Sequence, residues 1–336
     1  MSSSTSTQVQ LVRRPQGWPV AEDFRTVTVE LPPLRDGEVR VANSHLSVDP
    51  YMRGRMSEAE SYVPPFALDE TMTGSAVGRV VESAADALPV GTTVLHAEGW
   101  RDLTQGPATA YRAVPVPDGV GVSAYLGILG GTGLTAYVGL TTIAPVREGD
   151  VVFVSAAAGA VGSAAGQIAR LLGASRVVGS AGRADKVAAL TERYGFDAAF
   201  DHHDGPAADR LAELAPDGID VYFDNVGGEQ LEAAIGALRQ QGRAALCGAI
   251  SAYNAEEPPP GPRTMGRVVT HSLTLRGFIV SNFLDQQPEF AERMTGWLRD
   301  GQVVYDETVV HGIGSALDAF FDLLRGGNLG KMVVEV

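Results

Sequence analysis

One cysteine, Cys247, is all that this chain of 336 residues contains. A lone cysteine excludes an internal disulfide and any cysteine-rich zinc lobe. Positive charge is scarce as well: 26 Lys and Arg stand against 40 Asp and Glu, a net charge of -14. That balance speaks against a nucleic-acid partner or an anionic membrane surface. The histidines His45, His96, His202, His203, His271 and His311 show no metal-type spacing. The adjacent pair His202-His203 is expected to point in different directions, so no metal site is predicted. Residues 1–7 are polar, lack the apolar core of a secretory signal and read as a frayed terminus. Residues 119–145 carry no charge, but glycines interrupt them and Gly130-Gly131-Thr132-Gly133 predicts a turn at their centre. A buried connector fits this stretch better than a membrane span, and the cytoplasm is the simplest location. What is present, 45% hydrophobic and 20% charged residues, is the composition of a globular protein, and the length fits one very large domain or two ordinary ones.

Period-two alternation recurs in Phe24-Arg-Thr-Val-Thr-Val-Glu, Glu38-Val-Arg-Val-Ala, Ser75-Ala-Val-Gly-Arg-Val-Val-Glu and Thr92-Thr-Val-Leu-His. It predicts a β-rich region over residues 9–116. From residue 149 short apolar strands (151–154, 176–179, 220–224, 243–248, 274–280) alternate with helical stretches (162–172, 184–194, 229–238). Such alternation predicts an α/β fold with a doubly wound parallel sheet. A helix over 287–299 is followed by β texture at 303–310, a helix at 315–325 and a last strand from 331. The tail resembles the first region, which predicts an inserted α/β domain (125–300) within a split β-rich domain (1–124 and 301–336). The proline-dense stretch 256–262 reads as a stiff exposed loop.

After the strand at 151–154 comes Ala156-Ala-Ala-Gly-Ala-Val-Gly-Ser. Aligned on G-x-G-x-x-G it lacks the first glycine but keeps Gly159, for close approach to a pyrophosphate, and Gly162, for helix–sheet packing. The N–H groups at Ala160 and Val161 then open the helix toward phosphate. Glycines that merely permit tight strand–helix packing are the alternative. The next strand ends in Gly179-Ser180-Ala181-Gly182-Arg183-Ala-Asp-Lys186. No carboxylate stands where a ribose 2′-hydroxyl would be held, and Ser180, Arg183 and Lys186 are available to a 2′-phosphate. NADPH rather than NADH is the expected cofactor.

A β-rich domain split around a nucleotide-binding unit resembles the medium-chain dehydrogenase/reductase superfamily. Its zinc alcohol dehydrogenases carry Gly-His-Glu and a cysteine as ligands; the corresponding Thr73-Gly74-Ser75-Ala-Val-Gly78 has neither His nor Glu. Further strings are Leu46-Ser-Val-Asp-Pro-Tyr-Met-Arg-Gly-Arg-Met56, Gly131-Thr-Gly-Leu-Thr-Ala-Tyr137, Tyr222-Phe-Asp-Asn-Val-Gly-Gly228, Cys247-Gly-Ala-Ile-Ser-Ala-Tyr-Asn254, Gly277-Phe-Ile-Val280 and Gly327-Asn-Leu-Gly-Lys331. These resemble the zinc-free NADPH-dependent alkenal/one oxidoreductases, which include prostaglandin reductases, plant double-bond reductases and bacterial curcumin reductases. The resemblance implies a doubly wound (Rossmann) sheet inserted in a β-rich GroES-like catalytic domain. It also implies hydride transfer from NADPH to the β-carbon of an α,β-unsaturated ketone or aldehyde, with water supplying the α-carbon proton. Tyr253 is then the hydrogen-bond donor to the developing enolate oxygen, and Tyr51 lines the substrate cleft. Asn225, Gly248, Phe278 and Val280 face the nicotinamide half; Thr135, Cys247, Ile250 and Ser251 complete the cofactor set. Asn328 reaches back from the tail to phosphate or ribose. Where the family commonly has Tyr, this chain has Asp201-His202; His202 still suits a 2′-phosphate, while Asp201 adds an unhelpful charge. Family members commonly join as homodimers at the sheet edge, here 274–280. A zinc-free quinone reductase and a non-catalytic NADPH-binding sensor share fold and cofactor and remain as alternatives.

Overall fold

Residues 4–115, 119–257 and 259–336 are described by the structure, a computed structural model of the chain. The chain opens directly with strand β1 (Ser4–Leu11), antiparallel to β2 (Phe24–Leu31) from Ser4↔Leu31 to Leu11↔Phe24. This corrects the frayed reading from residue 4 onward; residues 1–3 lie outside the described residues. The polar start is held because Ser6 is wholly buried and its hydroxyl donates to Leu103 O at 2.6 Å. Then follow β3 (Glu38–Ser47), the short helix α1 (Met52–Arg55), β4 (Glu70–Thr71), β5 (Ala76–Ser83), β6 (Thr93–His96), β7 (Leu103–Pro107) and β8 (Arg112–Ala113). These belong to one compact unit, made of Met1–Leu126, Glu307–Asn328 and Met332–Val336; Gly127–Asp306 with Leu329–Lys331 form a second.

The second unit opens with helix α2 (Gly131–Val138), which continues as a wider turn to Ile143. The turn predicted at 130–133 is therefore a helix start. Its glycines are spaces in the packing: a Cβ on Gly133 would lie 2.0 Å from Ile128 O, and one on Gly139 would lie 2.3 Å from the Phe223 ring. The remaining elements are β9 (Val151–Val154), α3 (Ala160–Leu171), β10 (Arg176–Ala181), α4 (Ala184–Glu192), β11 (Ala198–Asp201) and α5 (Ala207–Leu214). After these come β12 (Ile219–Asp224), α6 (Gly228–Ala237), β13 (Leu238–Leu246), α7 (Gly266–Thr270), β14 (Thr274–Gly277) and α8 (Gln287–Arg299). The strands form one parallel sheet in the order β11-β10-β9-β12-β13-β14. Every residue of β9 is buried, as a central strand covered on both faces requires. Phe153, Val178, Phe200 and Tyr222 share one face with Leu211 of α5 and Ala233 of α6. Connections leave β9 in opposite directions, so the strand order reverses between β9 and β12 and a crevice opens at their carboxyl ends. The edge strand β14 stops at Gly277, three residues short of the predicted 280; Val280 begins a 3-10 turn.

The chain then returns to the first unit with β15 (Glu307–His311), α9 (Ala316–Leu324) and β16 (Lys331–Glu335). β16 runs antiparallel to β3, Val333 opposite Ser47, in a sheet ordered β15-β16-β3-β5-β6-β8 with β7 also on β3. α9 buries Ala316, Ala319, Phe320, Leu323 and Leu324, one apolar stripe at helical spacing. Phe320 meets Trp100 edge-on at 6.1 Å within a core that includes Leu46, Met52, Met56 and Met72. Among the described residues no helix is long and apolar enough to cross a membrane.

Candidate cofactor and active site

At the carboxyl end of β9 the chain turns sharply into α3. There Ala156 adopts a left-handed conformation, with φ of +45°, which costs an L-residue about 1–2 kcal/mol. Ala157 N donates to Ser180 O at 2.8 Å, tying the turn to β10. Gly159 caps α3 in an extended conformation without a side-chain cap. The first-turn N–H groups of Ala160, Val161 and Gly162 have no intrahelical acceptor. A Cβ on Gly159 would meet only Ala156 O, at an ordinary 3.4 Å, whereas one on Gly162 would lie 2.4 Å from Ala156 O and 2.7 Å from Ala157 Cα. One glycine leaves open space and the other permits a close approach. Gly330 N donates to Ala158 O at 2.9 Å and Gly330 pairs with Gly159 as a bridge, a tail contact that sequence reasoning missed. Asn328, buried, falls in the first unit.

The end of β10 carries the residues read as a 2′-phosphate seat. Lys186 is only 7% exposed, unlike an ordinary solvated lysine. Arg183 precedes α4 and grips Asp185 with two bonds of 3.0 and 2.8 Å; that pairing holds the Asp185 carboxyl down to about 2. Ser180 is wholly buried and its hydroxyl donates to Gln230 Oε1 at 2.5 Å, so the hydroxyl does not face a ligand. His202 donates Nδ1–H to Ala181 O at 2.7 Å. The two adjacent histidines do not point apart, as the sequence suggested: their rings lie 4.0 Å from each other. His203 is drawn back by Asp201, whose Oδ1 accepts its backbone N–H at 3.0 Å and its Nδ1 at 2.9 Å. Asp201, His202 and His203 offer ligand atoms within 4.8 Å of one another, the one such grouping among the described residues.

At the ends of β12 and β13 the chain builds a closed polar network. Asp224, 1% exposed, accepts at Oδ1 from the Tyr222 hydroxyl at 2.7 Å and from the N–H groups of Val226 and Gly227 at 2.9 and 2.8 Å. Gly227 and Gly228 are both left-handed (φ 70° and 53°). Asn225 Nδ2 donates to Ser155 O at 2.8 Å, joining this loop to the end of β9. Cys247 N and Gly248 N donate to Asp224 O, Ile250 N to Asn225 O, and Ser251 through N and Oγ to Val226 O. The structure thus brings Asn225, Cys247, Gly248, Ile250, Ser251 and Tyr253 together. Burial, then the Asp224 charge, push the Cys247 thiol up to about 12, so it is neither a thiolate nucleophile nor a ready metal ligand. Burial raises the Tyr253 phenol too, outweighing a backbone hydrogen bond at Ala249, with Cys247 and Asp224 adding to the rise. Tyr253 is therefore a neutral O–H at neutral pH. A Cβ on Gly248 would stand 3.4 Å from the Tyr253 hydroxyl and 3.3 Å from Asn225 O, so glycine keeps that space clear. Phe278, half-buried, meets Phe223 edge-on at 6.5 Å, with Val280 just beyond it. The Thr135 hydroxyl is used within α2, on Gly131 O at 2.7 Å.

In the first unit Tyr51 stands at the start of α1, half-buried against the Met52 and Met56 core. Burial, followed by the Asp49 charge, raises its phenol, with Arg55 partly offsetting them. Arg55 in turn donates to Thr73 Oγ1 at 3.0 Å and lies 4.0 Å over the Phe66 ring. Along Thr73-Gly74-Ser75-Ala76 only Ser75 carries an exposed hydroxyl; Ala76 is wholly buried. His96 is held neutral, its pKa lowered to about 4 by burial and then by Arg101. A cavity of about 820 Å³ runs along α5 and α6. Its Glu229, Glu232 and Arg267 are already bonded to backbone groups.

Residues 7–114 match the family described as the N-terminal domain of oxidoreductase, and residues 160–299 the family described as zinc-binding dehydrogenase. The NADPH-dependent curcumin reductase of Escherichia coli is 40% identical, over 97% of this chain and 95% of its own length. The 2-alkenal reductase (NADP(+)-dependent) of Nicotiana tabacum is 39% identical, over 99% and 98%. Among solved structures, CurA of Vibrio vulnificus in complex with NADPH superposes with a TM-score of 0.92 at 40% identity, covering 98% of this chain and 99% of that one. Where zinc alcohol dehydrogenases carry His and Glu, this chain has Ser75 and Ala76, and Cys247 is protonated.

Proposed function

Because the chain belongs to the medium-chain dehydrogenase/reductase family, in its alkenal/one oxidoreductase branch, we propose that it reduces the carbon–carbon double bond of α,β-unsaturated ketones and aldehydes with NADPH. The observation that carries this reading is Tyr253, a half-buried, un-ionised phenol in the loop after β13, beside a glycine whose Cβ would stand 3.4 Å from its hydroxyl. When bound, NADPH supplies the hydride that reaches the β-carbon. Tyr253 donates a hydrogen bond to the carbonyl oxygen, where negative charge collects, and keeps its own proton. The α-carbon proton comes from water, so one hydride and one proton complete the saturated carbonyl. No step uses a metal.

The other residues bind and orient. Gly159 with the N–H groups of Ala160 and Val161 receives the pyrophosphate, and Gly162 keeps that helix end against its strand. Lys186, Arg183 and His202 hold the 2′-phosphate, Ser180 contributing backbone only. Asn225, Cys247, Gly248, Ile250, Ser251, Phe278 and Val280 take the nicotinamide half, with Thr135 and Asn328 completing the set and Tyr51 on the substrate side. Oxidation of NADPH and of NADH, followed by absorbance with enones, enals, quinones and simple ketones in the presence of a chelator, tests this. Turnover of enones and enals with NADPH is the expected outcome. Turnover of quinones alone, equal rates with NADH, loss of activity on chelation, or no turnover of any substrate contradicts it.

A further inference from the structure

The turn between β9 and α3 carries strain, because Ala156 is left-handed (φ +45°), a conformation costly for any residue but glycine. Such a conformation persists only where its surroundings over-determine it, and this turn is braced from two sides. On one side Ala157 N reaches Ser180 O of β10. On the other, the peptide joining Ala158 to Gly159 is held at both ends. Its oxygen accepts from Gly330 N at 2.9 Å, and its N–H donates to Ala156 O at 3.1 Å. A residue of the tail therefore helps to orient the peptide that leads into α3.

Gly330 is fixed in its turn by Asp306, which belongs to the same unit. Gly330 is left-handed (φ +64°), and a Cβ there would lie 2.0 Å from Asp306 O, so backbone rests on backbone. Lys331 N donates to the same oxygen at 2.9 Å. The Asp306 side chain is anchored just past the end of α4: Arg193 Nε–H donates to its Oδ2 at 2.5 Å and the Tyr194 hydroxyl at 2.6 Å. Tyr194 is buried, and burial followed by this bond raises its phenol, so it remains a donor. Two residues earlier, Val304 exchanges two bonds with Gln167 of α3. Gln167 Nε2 donates to Val304 O at 2.9 Å, and Val304 N donates to Gln167 Oε1 at 2.8 Å. Residues 304–306 thus form a strap anchored on α3 and α4, and through Gly330 it closes a ring back to the turn where α3 begins.

We propose that Asp306 is a positioning residue for the cofactor: by seating Gly330 on the Ala158–Gly159 peptide, it holds the first-turn N–H groups of α3 ready for the pyrophosphate. This rests on the reading that the pyrophosphate binds at that turn. Asp306 acts through Gly330 and not by contact with the cofactor. A turn arranged in advance spares binding the cost of ordering it. Without the anchored carboxylate Gly330 loses its seat, the strained turn at Ala156 relaxes, and each binding event must order it again. The penalty falls on a ligand that carries a pyrophosphate. It spares a ligand that reaches only the 2′-phosphate seat at the start of α4, about two and a half helical turns from Arg193.

The test compares wild type, Asp306→Ala, Asp306→Asn and Tyr194→Phe by calorimetric titration with NADPH and with adenosine 2′-monophosphate, which has no pyrophosphate. Asp306→Ala should weaken NADPH about tenfold, the worth of one charge-assisted hydrogen bond, and leave adenosine 2′-monophosphate within about twofold of wild type. In steady-state kinetics KM for NADPH should rise by a like factor while kcat stays within about twofold, because the saturated complex restores the turn. Asp306→Asn still accepts from Tyr194 and should recover most of the affinity. If Asp306→Ala does not fold, Tyr194→Phe carries the same comparison with a loss of about threefold. Equal losses for both ligands, or none for NADPH, overturn the role. Gly159→Ala separates the strap from its premise. A loss of NADPH affinity there with none in Asp306→Ala overturns the role of Asp306 alone. Unchanged NADPH affinity in Gly159→Ala overturns the placement of the pyrophosphate, and the role of Asp306 with it.

Discussion

Tyr253 shows what a single residue has to satisfy here. A donor to a developing oxyanion must be protonated and aimed, and removing such a donor costs about 10²–10³ in rate. Burial keeps the proton on the phenol, and Gly248 places no side chain against its hydroxyl. Tyr253→Phe should lower kcat on a good enone by about 10²-fold and leave the NADPH dissociation constant within about twofold, since the lost bond is made in the transition state. Stopped-flow turnover with a parallel fluorescence titration checks both, and a kcat within about twofold of wild type contradicts the role. The string Cys247-Gly-Ala-Ile-Ser-Ala-Tyr made this residue legible. Ser180, on β10, was legible only as an available hydroxyl, because its partner Gln230 lies fifty residues away on α6. The same limit hid Asp224, whose carboxylate organises the loop carrying Asn225 through Tyr222, Val226 and Gly227. Its importance comes from neighbours that only folding assembles.

The glycines separate two uses of one residue type when the elements around them are considered. Gly133 and Gly139 stand inside helical turns and let Ile128 and Phe223 approach, so a reading that equates clustered glycines with turns fails there. Gly159 and Gly162, three residues apart at the start of α3, should respond differently to alanine. At Gly162 the added carbon meets backbone at 2.4 Å and must push α3 off its strand, an overpacking that typically costs about 1–3 kcal/mol. At Gly159 it meets only ordinary contact at 3.4 Å, in the space proposed for a pyrophosphate. Gly162→Ala should therefore lower Tm by several degrees, whereas Gly159→Ala should keep Tm and lose NADPH affinity. Calorimetry with and without NADPH distinguishes them, and equal Tm losses contradict the division. Strand–helix alternation made nearly every element of the parallel sheet legible, since a buried β9 and its amphipathic neighbours each have a distinct period. Element ends were less so, as β14 illustrates by stopping at Gly277.

At the scale of the whole molecule, two architectures answer to one chain. The parallel sheet supplies a crevice where strand order reverses, while the antiparallel sheet closes only when β16 returns beside β3. That return was legible in the tail's alternation. The pairing of Gly330 with Gly159 was not, because a one-residue bridge leaves no periodic trace. The net charge of -14 belongs to the chain as a whole, while Lys186 and Arg183 bring positive charge to the start of α4, Arg183 paired there with Asp185. The lone Cys247, buried beside Asp224 and protonated, leaves hydride chemistry without a thiolate or a cysteine-held metal. The central claim is therefore the position of the new bond, and it is tested by reducing an enone with NADPH deuterated at the nicotinamide C4 and locating the label by NMR. Deuterium on the β-carbon of a saturated ketone is the predicted result. Deuterium on the carbinol carbon of an allylic alcohol would contradict the account.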